Sequence, residues 1–375
     1  MRHEPVLNRR ALNRATLERQ HLLQRIALTP IAMIEHLVGL QAQEPNPPYF
    51  GLWSRLLDFK REDLSQLLEQ RLAVRCTLQR GTLHLLSAAD LLALRPLLQP
   101  ALARMLASNH GKKLAGADPL AVARAGRALL CAENLDGTQL GKRLALQWQG
   151  AEPASLAVAV RCCEALIQLP PAGTWDNHKN AQLLPADIWL DPALPSLPSL
   201  DRMLLRYLAA FGPASAQDAG VWSGLRLSGP DGINAALERL APQLRRYRDE
   251  RGLLLLDLRD KVLPNTDTPA PARLVSAYDN LVLSHADRSR ILDEVHRPRI
   301  FTVNGQVRPT LLLDGFVQGI WKIEHGRQQA TVVIESFRAL SPGERQTIEV
   351  EAALALAFAA PDGVAHGVRF ATPSV

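Results

Sequence analysis

Two glutamines flank one alanine at Gln41-Ala42-Gln43, between an apolar segment that ends at Gly39 and a proline-rich stretch. A carboxamide is neither a useful acid nor a useful base near pH 7, so neither side chain can activate water by taking its proton. Each amide can accept a hydrogen bond from water and donate others to polar groups nearby. Such contacts suffice for bond cleavage only where the leaving group is already activated.

The residues around the two glutamines predict a rigid corner. Gly39 ends a predicted helix, and prolines at positions 45, 47 and 48 restrict the backbone that follows. Side chains alternate along an extended segment, so Gln41 and Gln43 are expected on one side and Ala42 in the core. The spacing alone also allows a simpler interpretation, in which the amides are two exposed residues after a helix end.

Composition predicts a globular protein of two to four compact units. The chain has 375 residues, of which 47% are hydrophobic and 21% are charged. The formal net charge is +6, and all but seven of the 43 basic residues are arginine. Arginine suits planar, bidentate contacts to phosphate and to base edges, although an arginine-rich genome explains the same bias.

Several classes of protein are not expected. Cys76, Cys131, Cys162 and Cys163 form neither a CxxC pair nor a metal-ligand spacing with histidine, which predicts a reduced compartment without structural metal or disulfides. The N-terminal segment lacks the apolar stretch of a signal peptide, and no apolar run is long enough to span a membrane. No P-loop or GxGxxG motif occurs, so no cofactor is expected. These features predict a cytoplasmic protein.

The order of predicted elements is that of winged helices. Thr29 and Pro30 mark a helix start, and helices are expected from near Pro48 and over 62–71. The segment "VRCTLQRGTLHLL" then predicts two short strands around a turn. A similar order recurs twice, which predicts units at 1–115, 116–190 and 191–265. The third unit follows a Pro/Ser-rich linker at 191–200.

From about residue 270 the pattern changes to strands, which predicts a C-terminal domain over 266–375. Asn304-Gly305 is typical of a type I′ hairpin turn, and a helix over 342–359 is expected to close the chain. The predicted fold class is α+β, with three tandem winged-helix units followed by a small antiparallel β-barrel or sheet.

Four segments together resemble the AlkZ/YcaQ-type winged-helix DNA glycosylases over nearly the whole chain. They are "GLQAQEPNPPYFGLWSRL", "RGTLHLLSAAD", "AYDNLVLSHADR" and "LLLDGFVQGIWKI". The family's catalytic motif is Gln-Φ-Gln, where Φ is apolar, and Gln41-Ala42-Gln43 matches it. The YcaQ branch usually carries Asp at the third position, so Gln43 makes this chain similar to the AlkZ branch.

The resemblance implies base excision repair of alkylated double-stranded DNA. The implied reaction is hydrolytic removal of N7-alkylated purines by Gln41 and Gln43, and some family members also unhook interstrand cross-links. An N7-alkylpurine is cationic, so cleaving its glycosidic bond releases a neutral base, and positioned dipoles replace proton transfer. Lys60 is the nearest lysine in sequence to the motif, which favours a monofunctional enzyme that uses water and forms no Schiff base.

A non-catalytic winged-helix DNA-binding protein, either a regulator or a lesion binder, is the competing class. Regulators of this kind usually bind as dimers, with one recognition helix for each half-site. Three linked units in one chain instead favour a monomer that wraps one lesion.

Further contacts to DNA are expected at two hairpins. Arg80, Thr82 and His84 lie on the first, where His84 is either a DNA contact or a satisfied histidine at a packing face. Arg299 and Arg308 flank Asn304-Gly305, a hairpin that either probes a groove or is solvated.

Overall fold

The computed structural model describes residues 4–191, 194, 197–326, 328–360 and 363–371. The α-helices are α1 (Arg9–Arg19), α2 (Pro30–His36), α3 (Pro47–Trp53), α4 (Arg61–Glu69), α5 (Ala88–His110), α6 (Pro119–Ala132), α7 (Gly137–Ala145), α8 (Pro153–Cys163), α9 (Ala186–Trp189), α10 (Leu200–Phe211), α11 (Ala216–Ser223), α12 (Ile233–Arg239), α13 (Asn280–Leu283), α14 (Arg297–Ile300) and α15 (Pro342–Ala359). The strands are β1 (Val6–Leu7), β2 (Leu40–Gln41), β3 (Ala73–Thr77), β4 (Leu83–Ser87), β5 (Leu166–Gln168), β6 (Leu183–Pro185), β7 (Leu244–Asp249), β8 (Leu254–Leu258), β9 (Arg273–Val275), β10 (Thr310–Leu313), β11 (Phe316–His325), β12 (Gln329–Ser336) and β13 (Ala365–Ala371).

The α+β class is confirmed, and the strands form three sheets with the orders β1-β7-β8, β2-β4-β3-β5-β6 and β13-β12-β11-β10-β9. Of the predicted barrel or sheet, the described residues form an open sheet, with β9 and β13 at its edges, and no closed barrel. Its edge strand β13, which the sequence analysis did not predict, runs parallel to β12. The sheet is therefore mixed, because α15 carries the chain back across it before β13 begins.

Two sheets join segments that lie in different predicted units. Strands β2, β3 and β4 share a sheet with β5 and β6, and β1 at the N-terminus pairs with β7. The number of winged-helix units and their boundaries therefore stay predictions. Of the predicted linker, residues 192, 193, 195 and 196 lie outside the described residues. Within the described residues, no helix has the length and apolarity needed to cross a membrane.

Local signals in the sequence produced the expected elements at several places. The Thr29 side chain accepts a hydrogen bond from the Ala32 N–H at 3.4 Å, and α2 begins at Pro30 as predicted. The hairpin β3–β4 is confirmed, with Cys76 opposite His84. The predicted helices near Pro48 and over 342–359 are also present, as α3 and α15.

The type I′ turn predicted at Asn304-Gly305 is wrong. Gly305 has a φ of 75° but Asn304 does not have a positive φ, whereas a type I′ turn needs both. The Gly305 N–H donates to the Thr302 carbonyl at 3.0 Å, so the turn spans residues 302–305 and Gly305 is its last residue. The hairpin is closed instead by a bridge between Phe301 and Val307.

A buried ion pair connects distant parts of the chain beside β2. The Arg55 guanidinium donates to both carboxylate oxygens of Asp279, at 2.9 and 2.7 Å, and both side chains are fully buried. The same guanidinium donates to Gln20 Oε1 at 3.0 Å and to the Gly51 carbonyl at 2.8 Å. The end of α1, the helix α3 and the segment before α13 therefore meet at one guanidinium.

Replacing Arg55 by Met should destabilise the fold severely. Removal of one partner leaves the Asp279 carboxylate buried without its cation, which costs about 3–5 kcal/mol. Urea unfolding followed by circular dichroism measures the change.

The matched control is Arg143→Met, which removes an exposed guanidinium bound to Glu133 at 2.7 Å. Its effect should stay within about 0.5 kcal/mol. Equal unfolding midpoints for the two variants would show that the buried pair does not hold the fold.

Candidate active site

Val38 and Gly39 turn the chain from α2 into β2. Their φ angles are 54° and 90°, and the Gly39 N–H closes the helix end by donating to the Ile34 carbonyl at 2.9 Å. A Cβ atom at position 39 would lie 3.0 Å from the Leu85 carbonyl oxygen. Glycine thus allows both the left-handed backbone and the close approach of β4. Gln41 follows two residues later.

Pairing with β4 fixes the motif along the sheet. Gln41 lies opposite His84, and the Ala42 N–H donates to the Leu83 carbonyl at 2.7 Å. Arg75 Nη2 donates to the Ala42 carbonyl at 2.7 Å from the other side. Ala42 is fully buried, as expected from the alternation of side chains. Gln41 is also buried, whereas Gln43 is exposed, so the two amides differ in access to solvent.

Both glutamine side chains have their carbonyl oxygens bound by the protein. Gln41 Oε1 accepts a hydrogen bond from Arg80 Nη2 at 3.1 Å, and Gln43 Oε1 accepts one from the Leu83 N–H at 3.0 Å. A guanidinium and a backbone N–H can only donate, so these contacts identify the oxygen end of each amide. Neither Nε2 group has a hydrogen-bond partner among the described residues, so both NH₂ groups remain available as donors.

Arg80 is held in the tight turn between β3 and β4. Its φ is 55°, and its Nη1 donates to the Trp222 carbonyl at the end of α11. Burial lowers the pKa of the half-buried Arg80 to about 10, which leaves it charged at neutral pH. The guanidinium therefore joins Gln41 to a helix of the third predicted unit.

His84 is buried beside Gln41 and stays neutral. Its Nδ1 bonds to the Thr82 carbonyl at 3.0 Å, which places the ring proton on Nδ1. Burial, followed by the charge of Arg80, lowers the pKa of His84 to about 3. Its Nε2 is buried without a hydrogen-bond partner among the described residues, so only one of the two ring nitrogens is satisfied there.

Gln43 lines a cavity of about 300 Å³ between strands β3 to β6 of the sheet and α8. Its other polar lining residues are Thr77, Arg161 and Gln168. Gln41 does not line this cavity and lies deeper, against Arg80. The exposed amide therefore faces a space that can hold a small group, while the buried amide is held by Arg80.

The segment before α13 holds the turn that precedes the motif. Asn280 Nδ2 donates to the Gly39 carbonyl at 2.8 Å and to the Leu37 carbonyl at 3.3 Å. Tyr278 has a φ of 57°, and burial, together with the charge of Glu44, raises its pKa. Residues of the predicted C-terminal domain thus hold the turn that leads into the motif.

The other predicted contact residues occupy different environments. Thr82 Oγ1 donates to the Gln79 carbonyl at 3.0 Å, inside the same turn as Arg80. Arg299 binds Glu335 at 2.7 Å and stacks on Phe337, whereas Arg308 is exposed. Among the described residues, no hydrogen bond or ion pair joins these two arginines to either glutamine.

Three contributors to the site were missed by sequence analysis: Arg75, Arg161 and Asn280. Asn280 belongs to "AYDNLVLSHADR", one of the four segments that resemble the family, but that resemblance predicted no role for this residue. The alternation of β3 could have indicated that Arg75 is near the motif. No local signal marks Arg161, which reaches the cavity from α8.

Comparison with known proteins identifies a matching family and a similar fold. A family model described as DNA glycosylase AlkZ-like matches residues 34–358, a range that contains both glutamines. The DNA glycosylase AlkZ of Streptomyces sahachiroi is similar in structure, with a TM-score of 0.79 over 98% of this chain and 100% of that chain. The two chains are 18% identical, so this likeness concerns the fold. No curated protein is significantly similar in sequence.

His84 should contribute to loss of stability in mild acid. Its pKa is about 3 in the folded protein and about 6.5 when unfolded, so the unfolded chain takes up the proton first as pH falls. The free energy of unfolding should fall by about 2 kcal/mol between pH 7 and pH 5 from this residue. Urea unfolding of the wild type and of His84→Asn, over that range, measures it.

At pH 8 the free energies of unfolding of the two proteins should differ only by the direct effect of the substitution. That measurement serves as the internal control. Equal pH slopes would mean that His84 titrates alike in the folded and unfolded states. His21 and His285 have pKa values lowered to about 4 and about 3, so part of the slope should persist in the variant.

Proposed function

The chain belongs to the AlkZ-like DNA glycosylase family, and we propose that it hydrolyses the N-glycosidic bond of cationic N7-alkylated purines in double-stranded DNA. The observation that carries this proposal is the orientation of the Gln41 and Gln43 amides. Arg80 and the Leu83 N–H bind their oxygens, so each amide presents its NH₂ group and the second lone pair of its oxygen.

The chemistry of the lesion matches what two neutral amides can do. Alkylation at N7 puts a positive charge on the purine, so the base leaves as a neutral molecule without being protonated. The sugar passes through an oxocarbenium-like state that water attacks. The protein then needs to position water and substrate, and the amides provide dipoles that do not reorganise during the reaction. Neutral, undamaged purines should be poor substrates.

The different burial of the two glutamines supports different roles. Gln43 is exposed and lines the cavity, which suits direct contact with the water or the sugar–base bond. Gln41 is 7% exposed, so only its outer edge is available to a substrate.

An interstrand cross-link through a purine N7 carries the same activated bond, and we include its unhooking in the proposal.

We further propose a monomer that acts in the cytoplasm and contacts DNA on either side of the motif. The proposed contacts are Arg299, Arg308, the turn residues Arg80 and Thr82, and His84, which lies in β4 and is buried. The exposure of Arg308 supports a contact to phosphate, whereas the bond from Arg80 to Gln41 supports a role in positioning that amide.

Replacing either glutamine should slow excision of an N7-alkylpurine. Gln41→Ala and Gln43→Ala should each reduce the rate about 10- to 1000-fold, the range for loss of one positioned dipole. The fold-reduction in rate of the double variant should be much smaller than the product of the two single reductions, because both amides act on one transition state. Single-turnover cleavage of a duplex containing N7-methylguanine, read as alkali-labile abasic sites, measures the rates.

Gln41→Glu is the matched control, since its carboxylate can still bind Arg80 while the NH₂ group is lost. Gln41→Ala leaves Arg80 Nη2 without a partner and should cost about 1–3 kcal/mol of stability, which Gln41→Glu should not. If the NH₂ group is needed, both variants lose activity. Wild-type rates in both alanine variants would show that the two amides do not carry the reaction, whereas no excision by the wild type would support the non-catalytic DNA-binding protein.

Borohydride should trap no covalent adduct between the protein and a duplex containing N7-methylguanine. The proposed reaction uses water, and Lys60, the nearest lysine in sequence, is the N-cap residue of α4 and not part of the cavity. A glycosylase with a Schiff-base lysine, treated in parallel, is the positive control. A trapped adduct that requires a lysine of this chain would contradict the monofunctional mechanism.

A further inference from the structure

Arg161 lies where two cavities adjoin. The cavity that Gln43 lines, about 300 Å³, shares Val158, Arg161, Gln168 and Leu183 with a second cavity of about 560 Å³. The second cavity extends along α8 to the beginning of α7. A strand whose nucleotide enters at Gln43 therefore has a continuous path past the Arg161 side chain.

The Arg161 guanidinium has no hydrogen bond or ion pair among the described residues, although it is half-buried. Burial lowers the pKa of Arg161, which means that its charge is partly removed from water. Other buried arginines have protein acceptors: Arg55 binds the Asp279 carboxylate at 2.7 Å, and Arg75 donates to the Ala42 carbonyl at 2.7 Å. A partly desolvated charge without a partner is costly, so an anionic ligand would offset that cost.

The surroundings of Arg161 favour an anion. A Cβ atom on Gly137, the first residue of α7, would lie 3.9 Å from Arg161 Nη1, so the guanidinium lies beside that helix N-terminus. Thr138 and Lys142, from the first and second turns of α7, line the second cavity with it. The helix dipole and Lys142 add positive potential to that of Arg161.

The carboxylates that line the second cavity already have partners. Asp136 is the N-cap of α7 and accepts from the Gln139 N–H at 2.8 Å. Glu152 accepts from Ser155 Oγ at 2.6 Å and lies 3.3 Å from Lys113 Nζ. Neither carboxylate lies within ion-pair distance of Arg161.

We propose that Arg161 binds a phosphodiester of the DNA strand whose nucleotide occupies the Gln43 cavity. DNA as the ligand rests on the proposed function; the anion site itself rests on the cavity geometry and the unpaired guanidinium. A guanidinium forms two parallel hydrogen bonds to a phosphate, and the phosphate nearest a nucleotide in one cavity falls in the neighbouring space. Arg161 is thus a positioning residue for the strand and is not itself part of the reacting group.

The test is DNA binding by Arg161→Met, which keeps the apolar stem and removes the charge. Its dissociation constant for a duplex with an abasic-site analogue should rise about 10-fold, the loss expected for one charge-assisted contact. The slope of log K against log salt should decrease in magnitude by about 0.9, for one phosphate fewer.

Two further variants serve for comparison. Arg161→Lys should keep the slope and lose part of the affinity. Arg124→Met, which removes an exposed guanidinium on α6 that lines neither cavity, is the control.

Melting temperature and excision are measured on the same proteins. An unpaired charge contributes no stability, so Arg161→Met should melt at or above the wild-type temperature. A clear drop would make Arg161 structural and overturn the inference, as would wild-type affinity and salt slope in Arg161→Met.

If the inference is overturned in this way but the wild type excises N7-methylguanine, the proposed function stands alone. If the slope depends on Arg161 but no base is excised, the phosphate site stands and the proposed reaction falls. A wild type that binds no duplex overturns both.

Discussion

Arg55 and Asp279 form a bidentate ion pair with both side chains fully buried, and the position of the glutamine motif depends on it. The pair fixes the segment before α13 against the end of α3. The next residue, Asn280, donates to the carbonyls of Leu37 and Gly39, which flank Val38 in the turn into β2. A contact between residues 224 positions apart in the chain therefore determines where Gln41 and Gln43 lie. This dependence explains why a motif on a two-residue strand can be held in place.

Several guanidinium groups around the motif have no carboxylate partner. Arg75 donates to the Ala42 carbonyl, Arg80 to the Trp222 carbonyl and to Gln41, and Arg161 has no partner among the described residues. Guanidinium groups that are not neutralised by carboxylates leave a local positive potential, which attracts DNA phosphates. In the proposed reaction the positive charge of the lesion moves from the purine to the sugar. A guanidinium near the base opposes positive charge on the purine, and a phosphate near the sugar favours positive charge there. Both therefore favour that movement.

The elements that depend on local signals were predicted from the sequence. The features that distant contacts determine were not. The Thr29 cap, the β3–β4 hairpin and the burial of Ala42 follow from residue types within a few positions. The burial of Gln41 does not, because its partner Arg80 is held by Trp222, which is 142 positions further along the chain. The parallel strand β13 also escaped prediction, since only the packing of α15 returns the chain to the edge of the sheet. The Asn304-Gly305 dipeptide allows several turns, and the pairing of Phe301 with Val307 selected one that is not type I′.

Arg80 also explains why an amide occupies position 41. A carboxylate at the same distance from the guanidinium would form an ion pair, and that pairing would favour its ionised form and make it a weaker base. It would also lose the NH₂ group and oppose the approach of DNA phosphates. A glutamine satisfies Arg80 with its oxygen, keeps a donor for the substrate and adds no charge. The cost is that the motif cannot assist a poor leaving group. Such a site is therefore suited to a base whose own alkylation has already weakened the bond.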